Sequence, residues 1–258
     1  MRVIAVANQK GGVGKTSAVV NLSAALGERG RRVLVVDLDP QANASQWLAA
    51  EAEEGVPEAL LDKRPLVELV VASSAAGVDV VPSRRQLAVA ERQLGTEPGG
   101  DRVLLQRIIE LPDRWDFLML DCPPQMGMLT ISALMAADEL LVPVEASSVA
   151  LAGLDDLLET FAIIKKPGNN PGLTLTGIFV SRVDTRARIG RAILDELVSR
   201  YPEHALKAHI RDRTTMREAW SYRESILTHD PTGDATEDYR SLAAEIDTGK
   251  EAQRAAAS

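Results

Sequence analysis

Short apolar runs separated by helix-patterned stretches recur along the chain. Residues 2–7 (RVIAVA), 33–36 (VLVV), 78–81 (VDVV), 117–120 (FLML), 140–144 (LLVPV) and 173–181 (LTLTGIFVS) have the length and composition of strands buried on both faces. Between them, residues 17–26, 84–94, 104–111, 148–165 and 188–200 carry helical patterns. This alternation predicts an α/β fold, mainly a parallel sheet covered by helices on both faces. Residues 206–210 predict a last strand and 236–246 a closing helix. Residues 49–100 are broken into short pieces by Pro57, Pro65, Pro82 and Pro98 and by a glycine pair, Gly99 and Gly100. They contain no linker, compositional shift or internal repeat. One domain over residues 1–248 with a disordered tail over 249–258 is therefore expected.

Composition narrows the function classes. The chain has 258 residues, 45% hydrophobic and 26% charged, enough for a substantial core. No apolar run reaches the roughly 20 residues of a membrane span, and the N-terminus lacks a signal-peptide layout. A single cysteine, Cys122, allows neither an internal disulfide nor a four-cysteine zinc site within one chain. A cytoplasmic location is expected. The net charge of −8 gives no global signal for nucleic acid.

The chemistry concentrates where apolar runs end. Asn8-Gln9-Lys10-Gly11-Gly12-Val13-Gly14-Lys15-Thr16 lies between the first strand and the first helix. A glycine-rich turn there points backbone N–H groups inward, with a helix N-terminus behind them, and so cradles phosphate. Lys15 supplies a charge for the β- and γ-phosphates, and the Thr16 hydroxyl is a Mg²⁺ ligand. The second apolar run ends in Asp37-Leu38-Asp39-Pro40. Strand alternation sends both carboxylates to one side, at the strand ends where open α/β sheets bind ligands. Asp-Pro also caps helices, so capping is the other reading of Asp39. The run at 117–120 ends in Asp121, an apolar strand with an aspartate placed to hold Mg²⁺ through water. Cys122 next to it reads as a small buried residue, because all three histidines fall after residue 200.

The glycine loop departs from the ordinary G-x-x-x-x-G-K-[ST] pattern: Gln9 stands where the first glycine belongs, and an extra lysine, Lys10, opens the loop. Together with V-D-L-D-P-Q-A-N, F-L-M-L-D-C-P-P and the late I-L-T-H-D-P segment, it resembles the deviant Walker A ATPases of the ParA/MinD group. The likeness is greatest to the short, Soj-like ParA partition ATPases and extends from Met1 to about Ile246. It implies a P-loop NTPase fold, ATP and Mg²⁺, and slow, partner-stimulated hydrolysis. By this resemblance Lys10 is the lysine that reaches a partner subunit's phosphates. Gly11, Gly12, Val13, Gly14, Lys15, Thr16 and Ser17 form the nucleotide loop. Thr16 holds Mg²⁺ directly, Asp37 and Asp121 act through its water shell, and Asp39 positions or activates the attacking water. Ser17 replaces a common threonine, and Gln125-Met126 stands where Ser-Leu is frequent, in the family's switch region. The resemblance further implies an ATP-bound homodimer that binds nonspecific DNA on the nucleoid, with a ParB-like or adaptor partner. Operator-specific DNA binding is not expected.

Local charge agrees with that implication. Residues 182–223 hold ten Lys/Arg and six Asp/Glu, a balance of +4, against 19 and 31 elsewhere, a balance of −12. Such a segment is either a phosphate-binding surface or a solvated face of mixed charge. Arg213 and Arg217, four apart on one predicted helix, and Arg191 on the helix before it are the candidate DNA contacts. Three rival readings compete, of which a scaffold that binds nucleotide without hydrolysing it is opposed by Asp39. A MinD-like membrane ATPase should end in an amphipathic helix with bulky apolar residues, whereas residues 247–258 offer only alanine. A metal-cluster carrier of the nitrogenase-reductase kind needs paired cysteines, which Cys122 alone cannot supply.

Overall fold

The computed structural model describes residues 1–146, 152–185 and 187–256. One seven-stranded sheet carries the chain, in the order β3-β4-β2-β5-β1-β6-β7. Its strands are β1 (Arg2–Val6), β2 (Val33–Asp37), β3 (Val71–Ala72), β4 (Val78–Val81), β5 (Phe117–Asp121), β6 (Glu139–Glu145) and β7 (Thr174–Ser181). All neighbours pair parallel except β3 and β4, which pair antiparallel at one edge. The helices are α1 (Lys15–Glu28), α2 (Asn43–Trp47), α3 (Val56–Leu61), α4 (Leu87–Leu94), α5 (Val103–Ile109), α6 (Met128–Ala136), α7 (Ala152–Ile164), α8 (Arg188–Arg200), α9 (Thr215–Tyr222), α10 (Ile226–His229) and α11 (Asp234–Ala256). The start expected for the helix over 148–165 falls partly on residues 147–151, outside the described residues.

The apolar runs split between two cores because strand side chains alternate. Val3, Ala5, Leu34, Val36, Leu118 and Leu120 face the layer that includes α4, α5 and α6. Ile4, Val6, Val33, Val35, Phe117 and Met119 face the layer built from α1, α10 and α11. Each fully buried valine, leucine, isoleucine, phenylalanine or methionine among them contributes about 1.5–3 kcal/mol, so the inner strands are fixed from both sides. Register then delivers the chemistry. Asp37 pairs with Asp121 across β2 and β5, and Val6, the last residue of β1, also pairs with Asp121. Both aspartates and the start of the glycine loop therefore meet at one end of the sheet.

The expected strand at 206–210 is not formed. Isolated bridges, Ile178 to Ala205 and Val183 to Arg211, and the Ile210 N–H donating to the Val180 carbonyl at 2.8 Å tie this segment beside β7. The ladder is interrupted because the N–H groups of Lys207 and Ala208 donate instead to the two Glu245 carboxylate oxygens, each at 3.0 Å. Gly177 permits the close approach: a Cβ there would lie 2.5 Å from the Leu206 side chain. The closing helix starts two residues before the expected one and continues through Ala256. Among the described residues, no helix is long and apolar enough to cross a membrane.

Candidate nucleotide site

The glycine loop is pinned at its start. The Asn8 side-chain amide donates to the Pro143 carbonyl at 2.8 Å, and Asn8 Oδ1 accepts the Lys10 N–H at 2.9 Å. Gly12 and Gly14 have φ of 77° and 86°, left-handed values that disfavour side chains. Gly14 serves as the N-cap of α1 without any side-chain cap bond, and the first turn of α1 carries no acidic residue. Its N-terminal N–H groups thus remain available for an anion. The Ser181 hydroxyl donates to the Val13 carbonyl at 2.6 Å, which ties the loop's crown to the end of β7.

Lys15 is 7% exposed. Burial lowers its pKa, and the nearby Asp121, Cys122 and Asp39 oppose that shift. Its Nζ donates to the Lys10 carbonyl at 3.3 Å. The Lys10 Nζ lies 2.8 Å from Glu145 Oε2 at the end of β6. Arg182, in the left-handed region with φ 54°, donates to the Gly12 carbonyl at 3.2 Å and comes within 3.8 Å of the other Glu145 oxygen.

The three aspartates differ sharply in their partners. Asp37, fully buried, accepts the Asp39 N–H at 3.1 Å, the Ser45 N–H at 2.9 Å and the Ser45 hydroxyl at 2.7 Å. Burial raises its pKa to about 6 against these hydrogen bonds. Asp39 is 8% exposed, lines the cavity and accepts the Gln41 N–H at 2.9 Å. It does not cap α2, whose N-cap is Ala42, so the capping alternative fails. Asp121 is fully buried, and neither carboxylate oxygen has a well-formed hydrogen bond. Burial and then the Asp37 charge push its pKa well up, and the neighbouring Thr16 hydroxyl pulls it down.

This donor set fits a magnesium–nucleotide complex. An orphaned buried carboxylate beside a threonine hydroxyl has acceptor capacity to spend on a hydrated cation. Among the described residues no group of three or more His, Cys, Asp or Glu could hold a metal alone. Mg²⁺ binds through one or two carboxylates together with phosphates. Cys122 is buried and its thiol is pushed up by burial, in keeping with a small core residue.

The cavity, of about 520 Å³, extends from the loop toward an apolar wall. Trp47, Ile210, Met216, Trp220 and Tyr239 line that wall, and none of them carried a motif by which sequence could single it out. The Trp47 and Trp220 rings meet edge to face at 5.3 Å and 87°, and Trp47 Nε1 donates to the Glu224 carbonyl at 2.7 Å. The candidate DNA arginines separate. Arg213 and Arg217 line the mouth of this cavity. The spacing predicts one shared helix, and the structure corrects this: α9 begins at Thr215, and Arg213 precedes it, held by Asp234 at 2.7 Å. Arg191 is exposed on α8, its Nε donating to the Thr185 carbonyl at 3.0 Å.

A parallel sheet with a glycine loop leading into a helix, a buried lysine and aspartates at neighbouring strand ends defines a P-loop nucleotide hydrolase. The AAA domain family matches residues 1–175. Soj of Bacillus subtilis, a sporulation initiation inhibitor protein, is 36% identical over 95% of this chain and 98% of its own. The chromosome-partitioning ATPase Soj of Thermus thermophilus is 38% identical over 95% of each. A Mycobacterium smegmatis structure titled cobyrinic acid a,c-diamide synthase, with bound ATP analogue and magnesium, superposes with a TM-score of 0.78 at 32% identity, over 91% of this chain and 98% of that one. The chain belongs to the ParA/Soj family of deviant Walker A ATPases. It is a P-loop ATP hydrolase that uses ATP and Mg²⁺.

Proposed function

We propose that the protein is a partition ATPase, a single ATPase domain through residue 248, that dimerises with ATP, binds DNA without sequence preference and is released when a ParB-like or adaptor partner stimulates hydrolysis. The observation that carries this reading is Lys10, a second lysine at the loop entrance whose Nζ is paired with Glu145 at the end of β6. A cation so placed has little use in its own subunit's site and suits a neighbour's nucleotide across a two-fold interface. The Soj relatives named above support partition over a role like that of the M. smegmatis cobyrinic acid a,c-diamide synthase. A cytoplasmic, nucleoid-associated location follows from this function.

Within the site, magnesium would neutralise phosphate charge, with Thr16 as its direct protein ligand and Asp121 and Asp37 behind its waters. Lys15 and the α1 N–H groups hold the phosphates, and their fixed charges favour the more negative transition state. Asp39 presents a carboxylate to the cavity from a loop held by its own backbone, suited to orient a water. Arg191, Arg213 and Arg217 are the proposed DNA contacts, two of them close enough to the nucleotide cavity for binding to depend on its occupant.

The test pairs turnover with trapping. Asp39→Ala should bind ATP, lose turnover by about 10²-fold or more, and accumulate an ATP-bound dimer on unrelated DNA duplexes. Wild-type turnover in Asp39→Ala would remove that residue from the mechanism. Equal DNA binding with ATP, ADP and no nucleotide would overturn the gating.

A further inference from the structure

We propose that Ser45 and Ser83 form a hydroxyl relay that fixes Asp39, and that Ser45 is thereby a positioning residue for ATP hydrolysis. The proposal rests on the reading of Asp39 as the water-orienting group. Neither serine belongs to the nucleotide loop, and both are buried, at 0% and 3% exposure.

The connections run in one direction. The Ser83 N–H donates to Ser45 Oγ at 2.9 Å, so that oxygen is already an acceptor. Its own proton therefore goes to Asp37 Oδ2 at 2.7 Å. The opposite Asp37 oxygen, Oδ1, accepts the Asp39 N–H at 3.1 Å. The Ser83 hydroxyl closes the ring by donating to the Asp39 carbonyl at 2.6 Å. The peptide groups on both sides of the Asp39 Cα are thus clamped, one by Asp37 and one by Ser83, while Ser45 joins the two clamps. With the Asp39 carboxylate tied to the Gln41 N–H, little freedom remains in the direction it presents to the cavity.

Three elements meet in this ring: β2 through Asp37, α2 through Ser45 and the end of β4 through Ser83. The last is itself held from outside, because the Val56 N–H donates to the Pro82 carbonyl at 2.9 Å. A Cβ on Gly55 would come within 2.0 Å of that carbonyl oxygen, so glycine is needed for the approach. The ring also assigns Asp37 a task. A carboxylate offers about four lone-pair sites, and three here go to protein donors. Asp37 is spent largely on holding the loop, whereas Asp121 has its acceptors unspent.

Misplacing a catalytic group by about 1 Å costs on the order of a hundredfold in rate. Ser45→Ala should therefore lower kcat by about 10- to 100-fold while KM for ATP changes by less than about threefold, because no phosphate-binding group is touched. Ser45→Thr, which restores the hydroxyl, should return kcat to within about threefold of wild type. Ser83→Ala removes the second clamp alone and should lower kcat in the same direction with KM preserved; it decides the matter if Ser45→Ala does not fold. Sites are counted by fluorescent ATP-analogue binding, so kcat refers to nucleotide-competent protein. Unchanged kcat per site in Ser45→Ala or Ser83→Ala, or failure of Ser45→Thr to restore it, overturns the proposal. Asp39→Ala is measured alongside. If it turns over normally, the reading of Asp39 fails; if it is inactive while the serine variants are normal, only the relay fails.

Discussion

Glu145→Gln probes how the free subunit holds Lys10. The Lys10–Glu145 pair is 2.8 Å long, with side chains 40% and 28% exposed. If Lys10 serves a partner's phosphates, this bridge must open in both subunits before a dimer is complete. At this exposure solvent screens the pair, and bridges of this kind contribute about 0.5–1 kcal/mol. Two of them would oppose pairing by about 1–2 kcal/mol, which corresponds to about 5- to 30-fold in the dimer dissociation constant. Glutamine keeps the shape and removes the charge, while Arg182 keeps its bond to the Gly12 carbonyl. Sedimentation velocity with a non-hydrolysable ATP analogue and Mg²⁺, over a range of protein concentrations, reads the constant directly. Glu145→Gln should dimerise about 5- to 30-fold more tightly at low salt, with the gain shrinking near 1 M salt, where the Debye length falls to about 3 Å. A dissociation constant that is unchanged or weaker at low salt would refute the reasoning and make the pair an incidental surface bridge.

Lys10→Ala should leave nucleotide binding by the monomer intact but weaken ATP-dependent dimerisation and turnover, as sedimentation and phosphate release would show. In metal-free protein, Asp121→Asn removes an unpaired buried charge costing about 1–3 kcal/mol, so its melting temperature should rise by about 2–12 °C while Mg²⁺–ATP binding is lost; a lower melting temperature would contradict the orphaned state. The raised pKa values of Asp121 and Asp37, the latter about 6, mean that the folded chain keeps protons that the unfolded chain has released. That stability is complete below the ordinary carboxylate pKa of about 4 and is lost as pH rises through the folded values. The melting-temperature gap between Asp121→Asn and wild type in chelator should therefore widen from pH 5 to 8. Neutralising Arg191, Arg213 and Arg217 together should weaken binding to all duplexes alike and lower the salt slope by roughly one unit per lost phosphate contact; an unchanged slope would place the DNA surface elsewhere.

The parts of this fold that sequence revealed are those dictated by local pattern. The inner strands are apolar on both faces, so VLVV and FLML declare themselves, and the aspartates ending them fall at the expected sheet end. The glycine loop is legible because its conformation demands particular residues in consecutive positions. What escaped depends on partners distant in the chain. The strand expected at 206–210 loses its ladder to Glu245, a carboxylate on the closing helix. Arg213 is drawn to Asp234 rather than into a helix with Arg217. β3 has only two residues, too few to leave a period. Ser45 and Ser83 lie 38 positions apart, and a serine announces nothing until its neighbours are known.

The edge-to-face contact of Trp47 with Trp220 gives the protein an optical reporter of its own. Only three tryptophans are present, and the third, Trp115, is buried outside the cavity, its Nε1 bound to Asp79 at 2.8 Å. The paired indoles lie in the cavity wall, and Trp47 ends the short helix that follows the Asp39 loop. Two indoles at 5.3 Å couple their excited states, so the near-ultraviolet circular dichroism of the pair depends on their mutual angle. A Trp115→Phe background would leave that pair as the sole indole signal. The movement of the loop on nucleotide binding and hydrolysis could then be followed in unlabelled protein, in real time.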